Sequence, residues 1–281
     1  MESMNQAART QRRGGVEFSG VTKRFVTRDG EEKVAMRDVT LKVEPGVFCA
    51  VVGPTGCGKS TTLTLAAGLY RASAGEVRVG GAPVRGIAQG ASFVFQNDVL
   101  LPWKSVLANV ALGPMLAGTP RRQAENSARD WLRLVGLAGF ENFYPYQLSG
   151  GMRKRVSMAA ALINEPSLLL MDEPFSALDV QTRAIMSHEL LELWERTRPT
   201  VLFVTHDIEE AIALADRVVV MTASPATVKA VFEVDLPRPR GAVQEIRFQP
   251  RFLELYQQIW ESLREEVEQT YARTAKAGVA A

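Results

Sequence analysis

The sequence predicts an α/β fold with a mixed-sheet core, an antiparallel β-subdomain and an α-helical subdomain. Three observations carry this. A glycine-rich loop, Gly53-Pro54-Thr55-Gly56-Cys57-Gly58-Lys59-Ser60-Thr61, lies between an apolar, β-branched run at 47–52 and a helix-like segment at 60–69. A second apolar run, from Leu168 to Met171, ends in the carboxylates Asp172 and Glu173, as a buried parallel strand does when it delivers acids to the carboxyl edge of a sheet. Between the two, residues 97–165 carry apolar side chains at helical spacing.

Taken in order, residues 1–15 form a polar tail with Arg9, Arg12 and Arg13, expected to be disordered. From Val16 to Val43, short β-branched segments broken by the turn signal Arg28-Asp29-Gly30 predict an antiparallel hairpin region. Phe25 falls there, as a core residue or as an aromatic platform. The glycine loop that follows fits the phosphate-binding pattern of two glycines, a lysine and a hydroxyl at fixed spacing. Glycines let successive N–H groups converge on phosphate oxygens, and the helix N-terminus adds favourable dipole charge. Lys59 would then reach the β and γ phosphates, and the Ser60 hydroxyl would coordinate Mg²⁺. Gly75 to Val84 reads as a short strand with a Gly80-Gly81 turn, and Ala91 to Phe95 as a strand ending at Gln96.

Helices are predicted at Val106–Leu116, Arg121–Val135 and Met152–Ile163. Apolar Val99-Leu100-Leu101-Pro102-Trp103 follows Gln96, either lining a groove for a partner's helix or filling the subdomain's own core. Leu148-Ser149-Gly150-Gly151-Met152 opens the third helix. Ser149 suits an N-cap, and two glycines permit close backbone approach to an anion, which capping alone does not explain. Arg153, Lys154 and Arg155 are expected to add positive field around it.

Asp172 is the candidate Mg²⁺ partner and Glu173 the candidate general base for an attacking water; alone, the pair would read as a helix cap and a solvated acid. An amphipathic helix over Val180–Arg196 and a buried strand over Thr200–Thr205 lead to His206. His188 lies mid-helix and reads as a surface or packing residue. A helix at Ile208–Ala215 and a strand at Arg217–Met221 follow. After the proline-punctuated Asp235-Leu236-Pro237-Arg238-Pro239-Arg240, Phe252, Leu255, Tyr256, Ile259 and Leu263 predict an amphipathic helix packed back on the domain.

Composition bounds the chemistry. With 46% hydrophobic and 23% charged residues, the 281-residue chain is globular. A formal charge of +2 is too near neutral for nucleic acid as the main partner. The two cysteines, Cys49 and Cys57, suit neither a disulfide framework nor a zinc site, and point to a reducing compartment. Cys57 would be reactive if the loop's field lowered its pKa. No apolar run approaches the ~20 residues that cross a bilayer, and the amino terminus is not a secretory signal. A membrane role would come through a partner.

In these motifs the chain resembles the ATPase subunit of an ATP-binding cassette transporter, over about residues 16–235. Gly53 to Thr61 matches the family's Walker A, Gln96 its Q-loop, Leu148 to Met152 its signature, Leu168 to Glu173 its Walker B, Ser176-Ala177-Leu178-Asp179 its D-loop and His206 its switch histidine. Met152 stands where glutamine is usual in the signature, and Phe25 where tyrosine is more frequent. The resemblance implies ATP and Mg²⁺ as cofactors, with Glu173, His206 and Gln96 as catalytic residues. It implies that Phe25 stacks on adenine, and that Gly53, Pro54, Thr55, Gly56, Cys57, Gly58, Lys59, Ser60, Thr61, Ser149, Gly150, Gly151 and Asp179 bind the nucleotide. Ser60, Gln96 and Asp172 would surround the metal.

The same resemblance implies a homodimer or paired ATPase subunits in which the signature of one copy faces the γ-phosphate held by the other. Transmembrane permease subunits would be direct partners and a solute-binding protein an indirect one, with no nucleic acid. The place would be peripheral, on the cytoplasmic face of the cell membrane. Expected boundaries are a tail at 1–15, an ATPase domain at 16–247 with its helical subdomain at about 97–165, and a C-terminal helix and tail at 248–281. Asp235 to Arg240, with Leu101 to Val110, resembles the importer branch that handles nitrate, sulfonate, taurine, bicarbonate and some pyrimidine precursors. A soluble cassette acting on DNA ends or ribosomes is the alternative, but the chain has neither a long coiled coil between Gln96 and the signature nor a second cassette. A non-hydrolysing adaptor is disfavoured by the joint presence of Lys59, Glu173 and His206.

Overall fold

The computed structural model describes residues 14–27, 29–241 and 243–278. Most of the tail expected at 1–15, and Arg28 of the first turn signal, lie outside these residues. In chain order the elements are β1 (Val16–Val26), β2 (Glu32–Val43), β3 (Phe48–Val52), α1 (Lys59–Ala66), β4 (Ala74–Val79), β5 (Ala82–Pro83) and β6 (Ala91–Val94). Next come α2 (Val106–Leu116), α3 (Arg121–Leu134), α4 (Gly150–Leu162), β7 (Leu168–Asp172), α5 (Val180–Thr197), β8 (Thr200–Val204) and α6 (Ile208–Leu214). β9 (Arg217–Met221), β10 (Val228–Glu233), α7 (Val243–Ile246) and α8 (Pro250–Gly278) complete the described chain.

Two sheets result. One has six strands in the order β10-β9-β3-β8-β7-β6, and the other four in the order β2-β1-β4-β5. Within the larger sheet β9, β3, β8, β7 and β6 run parallel, and β10 lies antiparallel on the edge, so the sheet is mixed. The smaller sheet is antiparallel throughout.

Alternation along the buried strands divides the interior in two, because successive side chains leave a strand on opposite faces. Phe48, Ala50 and Val52 of β3, Leu169 and Met171 of β7, and Val201 and Phe203 of β8 face the core shared with the helices. Cys49, Val51, Leu168, Leu170, Leu202 and Val204 face a second core that includes Leu63 and Leu65 of α1 and the inner side of the smaller sheet. A strand buried on both faces reads as a continuous apolar run, which is why these segments stand out in the sequence. β10 does not: as an edge strand it is only half covered.

The amphipathic C-terminal helix packs back as expected, with Phe252, Leu255, Ile259 and Leu263 buried in the helical core. The Asp235 to Arg240 segment has a definite role beside it. Arg240 Nη1 donates to the carbonyls of Ile212 and Ala213, both at 2.9 Å. Arg238 donates to Leu214 O at 2.7 Å and to Asp216. These are end carbonyls of α6 with no partner inside that helix, and cations at a helix C-terminus also oppose its dipole. The two arginines therefore cap α6, the helix that follows His206.

Candidate functional site

The parallel strands all end at one edge of the larger sheet, where ligands of open α/β sheets bind. β3 leads into the glycine loop, β7 into Asp172 and Glu173, and β8 into Thr205 and His206. β6 ends just before Phe95 and Gln96.

The loop's backbone needs its glycines. Gly58 has φ +119°, and a Cβ there would press on Ala35 O at 3.2 Å and Ala226 Cβ at 3.3 Å. At Gly53 a Cβ would fall 2.9 Å from Cys57 Sγ and 3.1 Å from Met221 O. Thr55 and Gly56 are exposed at the loop's tip, while Pro54 and Cys57 are buried. Lys59 Nζ donates to Gly53 O at 2.9 Å and Pro54 O at 3.0 Å, so the ammonium sits inside the curl of the loop. Thr61, in the first turn of α1, gives its carbonyl to the Thr64 hydroxyl.

The Ser60 hydroxyl donates to Asp172 Oδ1 at 3.0 Å. Burial pushes the Asp172 carboxyl upward, opposed by this hydrogen bond, with Glu173 raising it further and Lys59 lowering it. These hard oxygens suit Mg²⁺, which is usually bound through one or two protein oxygens together with substrate phosphates. Among the described residues no cluster of three His, Cys, Asp or Glu side chains forms a metal cage. Gln96 is exposed and donates from Nε2 to Ser176 Oγ at 3.5 Å.

Glu173 follows β7 with φ +42°, a conformation that turns its side chain out of the strand's alternation. Its N–H donates to Val204 O at 2.9 Å, and its carbonyl accepts from the Ser176 hydroxyl at 3.0 Å. His206 Nδ1 lies 3.0 Å from Glu173 Oε2. The candidate base and the candidate switch histidine, thirty-three positions apart in sequence, are thus in direct contact.

Phe25 is half-buried on β1, with the edge of Tyr70 at 5.4 Å and Lys23 Nζ 4.9 Å from its ring centroid. Ser149 caps α4, its hydroxyl accepting from Met152 N at 3.3 Å, so Gly150 and Gly151 form the helix's first turn. Asp179 caps α5, accepting from the backbone and side chain of Thr182, and these bonds lower its pKa. His188 is a surface residue 3.6 Å from Glu192.

Two expectations are corrected. Arg153, Lys154 and Arg155 do not supply free positive field at the signature. Arg153 pairs with Asp98 at 2.9 Å and donates to Leu148 O. Lys154 is buried against the carbonyls of Phe95 and Gln96, and Arg155 pairs with Glu189 at 2.6 Å. The three tie α4 to the segment after β6 and to α5. Cys57 is the other. Burial raises its thiol pKa, with the nearby Lys59 only partly opposing. A buried, protonated thiol is inert, so a maleimide reagent is expected to label neither cysteine of the folded chain at neutral pH. Mass spectrometry before and after denaturation checks this, and full labelling of Cys57 in the folded state would contradict it.

The choice left open at Trp103 goes against the core: its side chain is 71% exposed, and Val99 is 57% exposed. Val99 lines a groove of about 300 Å³ with Phe93, Phe95, Leu100, Leu101 and Leu116. Three charged residues escaped sequence reasoning: Asp98, which pairs with Lys154 and so helps join α4 to Gln96, and Arg183 and Glu210, which lie behind His206. Only Glu210 had a signal, the Asp207-x-x-Glu210 spacing of a capping box.

The family model described as ABC transporter matches residues 36–176. A Methanocaldococcus jannaschii protein named an uncharacterized ABC transporter ATP-binding protein is 44% identical, covering 85% of this chain and 88% of its own. A nitrate import ATP-binding protein of Synechococcus elongatus is 45% identical, covering 88% and 91%. A taurine import ATP-binding protein of Pseudomonas entomophila is 44% identical, covering 80% and 88%. Among solved structures, a dimeric ATP-binding cassette in a post-hydrolysis state with ADP and Pi superposes with a TM-score of 0.70 at 30% identity, covering 79% of this chain and 100% of that one.

Proposed function

This chain belongs to the ABC transporter family of ATP hydrolases, and we propose that it is the subunit that hydrolyses Mg²⁺-ATP to drive a permease importing a small anion or organosulfur compound, such as nitrate, sulfonate, taurine or bicarbonate. One observation carries the hydrolytic reading. The Ser60–Asp172 and His206–Glu173 pairs, each at 3.0 Å, lie at the same sheet edge as the Lys59 loop.

Each group has a task there. Backbone N–H groups of Thr55 to Thr61 and the Lys59 ammonium hold the β and γ phosphates. Phe25 stacks on the adenine. Ser60, Asp172 and Gln96 would hold Mg²⁺, which would supply charge neutralisation at the phosphates. Glu173 Oε2 takes the proton of the attacking water, and His206 bonds the γ-phosphate while steadying Glu173. Ser149, Gly150 and Gly151 of a second copy close the phosphate cage, and Asp179 sits at that seam. The dimeric form of the solved cassette supports this pairing.

Support for an importer comes from the nitrate and taurine relatives. No helix among the described residues is long and apolar enough to cross a membrane, so transport requires permease subunits, with this chain seated on their cytoplasmic side and a solute-binding protein acting at a distance. Exposed Trp103, four residues after Val99 of the apolar groove, offers an anchor for a permease helix. Trp103→Ala is expected to weaken permease association about thirtyfold, as loss of an aromatic anchor does, and to leave ATP affinity within about twofold. Co-purification and nucleotide titration measure the two; equal losses would reject this anchor.

A further inference from the structure

We infer that Glu210 is a positioning residue for His206, acting through the hydroxyl of Thr205. This rests on the proposed role of His206 against the γ-phosphate. The His206 side chain is 55% exposed and has Glu173 as its polar partner, so few side-chain contacts fix the ring. Its place depends on the backbone at either side.

That backbone is held by one hydroxyl. Thr205 Oγ1 accepts from Asp207 N at 3.1 Å and donates to Glu210 Oε2, so it spans His206 from the preceding to the following residue. Thr205 is 2% and Glu210 7% exposed. In an ordinary capping box the Glu side chain bonds the N-cap N–H directly. Here half of that box is present, with Glu210 N donating to Asp207 Oδ1 at 3.1 Å, while the Thr205 hydroxyl stands between the Glu210 carboxyl and Asp207 N. The relay reaches further: Asp207 pairs with Arg183 at 3.2 Å, and Arg183 donates to Leu178 O at 3.1 Å, beside Asp179.

Charge makes the carboxyl informative. Burial raises the Glu210 pKa to about 7, against the hydrogen bond from Thr205; Asp207 and Glu173 raise it further and Arg183 lowers it. Near neutrality the group therefore titrates, and its ionised form adds negative charge behind Glu173. Because the folded pKa lies above the usual 4.5, the stability this group contributes is full below that value and is lost as pH rises through about 7. Glutamine keeps the shape and cannot ionise.

The test is steady-state ATPase of the full chain with His206→Ala, Glu210→Ala, Glu210→Gln, Thr205→Val and Thr205→Ser. Glu210→Ala and Thr205→Val are expected to lower kcat about tenfold to a hundredfold, the cost of misplacing a reacting group by up to an ångström, with KM for ATP within about twofold. Glu210→Gln and Thr205→Ser should restore most of kcat. The native kcat should show an inflection near pH 7 that Glu210→Gln lacks. Native kcat in Glu210→Ala beside an impaired His206→Ala would sink this inference alone. Native kcat in His206→Ala would instead sink the reading beneath it. Should Glu210→Ala fail to fold, the pH profiles decide, and superimposable native and Glu210→Gln curves overturn the proposal.

Discussion

Glu173→Gln is expected to bind ATP as the native chain does and to hydrolyse it about a thousandfold more slowly, within the range for loss of a general base. The backbone argues for so selective a defect. Glu173 is held at φ +42° by its N–H on Val204 O and by the Ser176 hydroxyl on its carbonyl. None of these bonds involves the carboxylate, so the substitution leaves the turn in place. The amide keeps the volume of the side chain and can still meet His206 Nδ1, but it cannot take a proton from water. Lys59, Ser60 and Asp172 are untouched, which preserves the proposed phosphate and metal contacts. On the proposed dimer, ATP that is bound and not cleaved would keep two copies together. Single-turnover hydrolysis, with size-exclusion chromatography in ATP, should therefore show a long-lived dimer. Fast turnover would remove Glu173 from the mechanism.

Much of this site was legible because its parts end strands or begin helices. Gly53 to Thr61 follows β3, Asp172 ends β7 with Glu173 next, and His206 follows β8, and each strand is apolar on both faces. The contacts between parts were less legible. That Arg153, Lys154 and Arg155 are spent on Asp98, Gln96 O and Glu189 depends on how α4 packs against α5 and the segment after β6, which no local spacing encodes. Cys57 shows the same limit: its sequence neighbours suggest an activating field, yet burial dominates its pKa. β10 escaped notice because an edge strand needs only one covered face. The Asp207-x-x-Glu210 spacing went unread, and even as a cap it carries no sign of the Thr205 hydroxyl that reroutes it.

Gly150→Asp tests whether the nucleotide is shared, because the position separates the chain's own needs from those of a second copy. A Cβ at Gly150 meets nothing closer than Arg153 Nη2 at 3.9 Å and Leu178 Cδ2 at 4.0 Å. Gly150 opens α4 behind the Ser149 cap, where a carboxylate is favourable by ~0.3–1 kcal/mol through the helix dipole. The fold should therefore hold or gain stability. Gly151 is a poorer probe, since a Cβ there would lie 3.1 Å from Thr182 Cγ2 and disturb the chain itself. On the proposed dimer, the same carboxylate would face the γ-phosphate of the opposite copy and repel it. The expected result is an unchanged or higher Tm and native ATP binding to the Lys59 loop. ATPase activity should fall at least about a hundredfold, as when an oxyanion donor is lost, without ATP-dependent dimerisation. Loss of ATP-dependent dimerisation with folding and nucleotide binding intact would place the defect at a surface met by a second copy, unlike Glu173→Gln, which keeps the dimer. Full activity in this variant would mean that the loop at Ser149 to Gly151 meets no phosphate, and that each chain works alone.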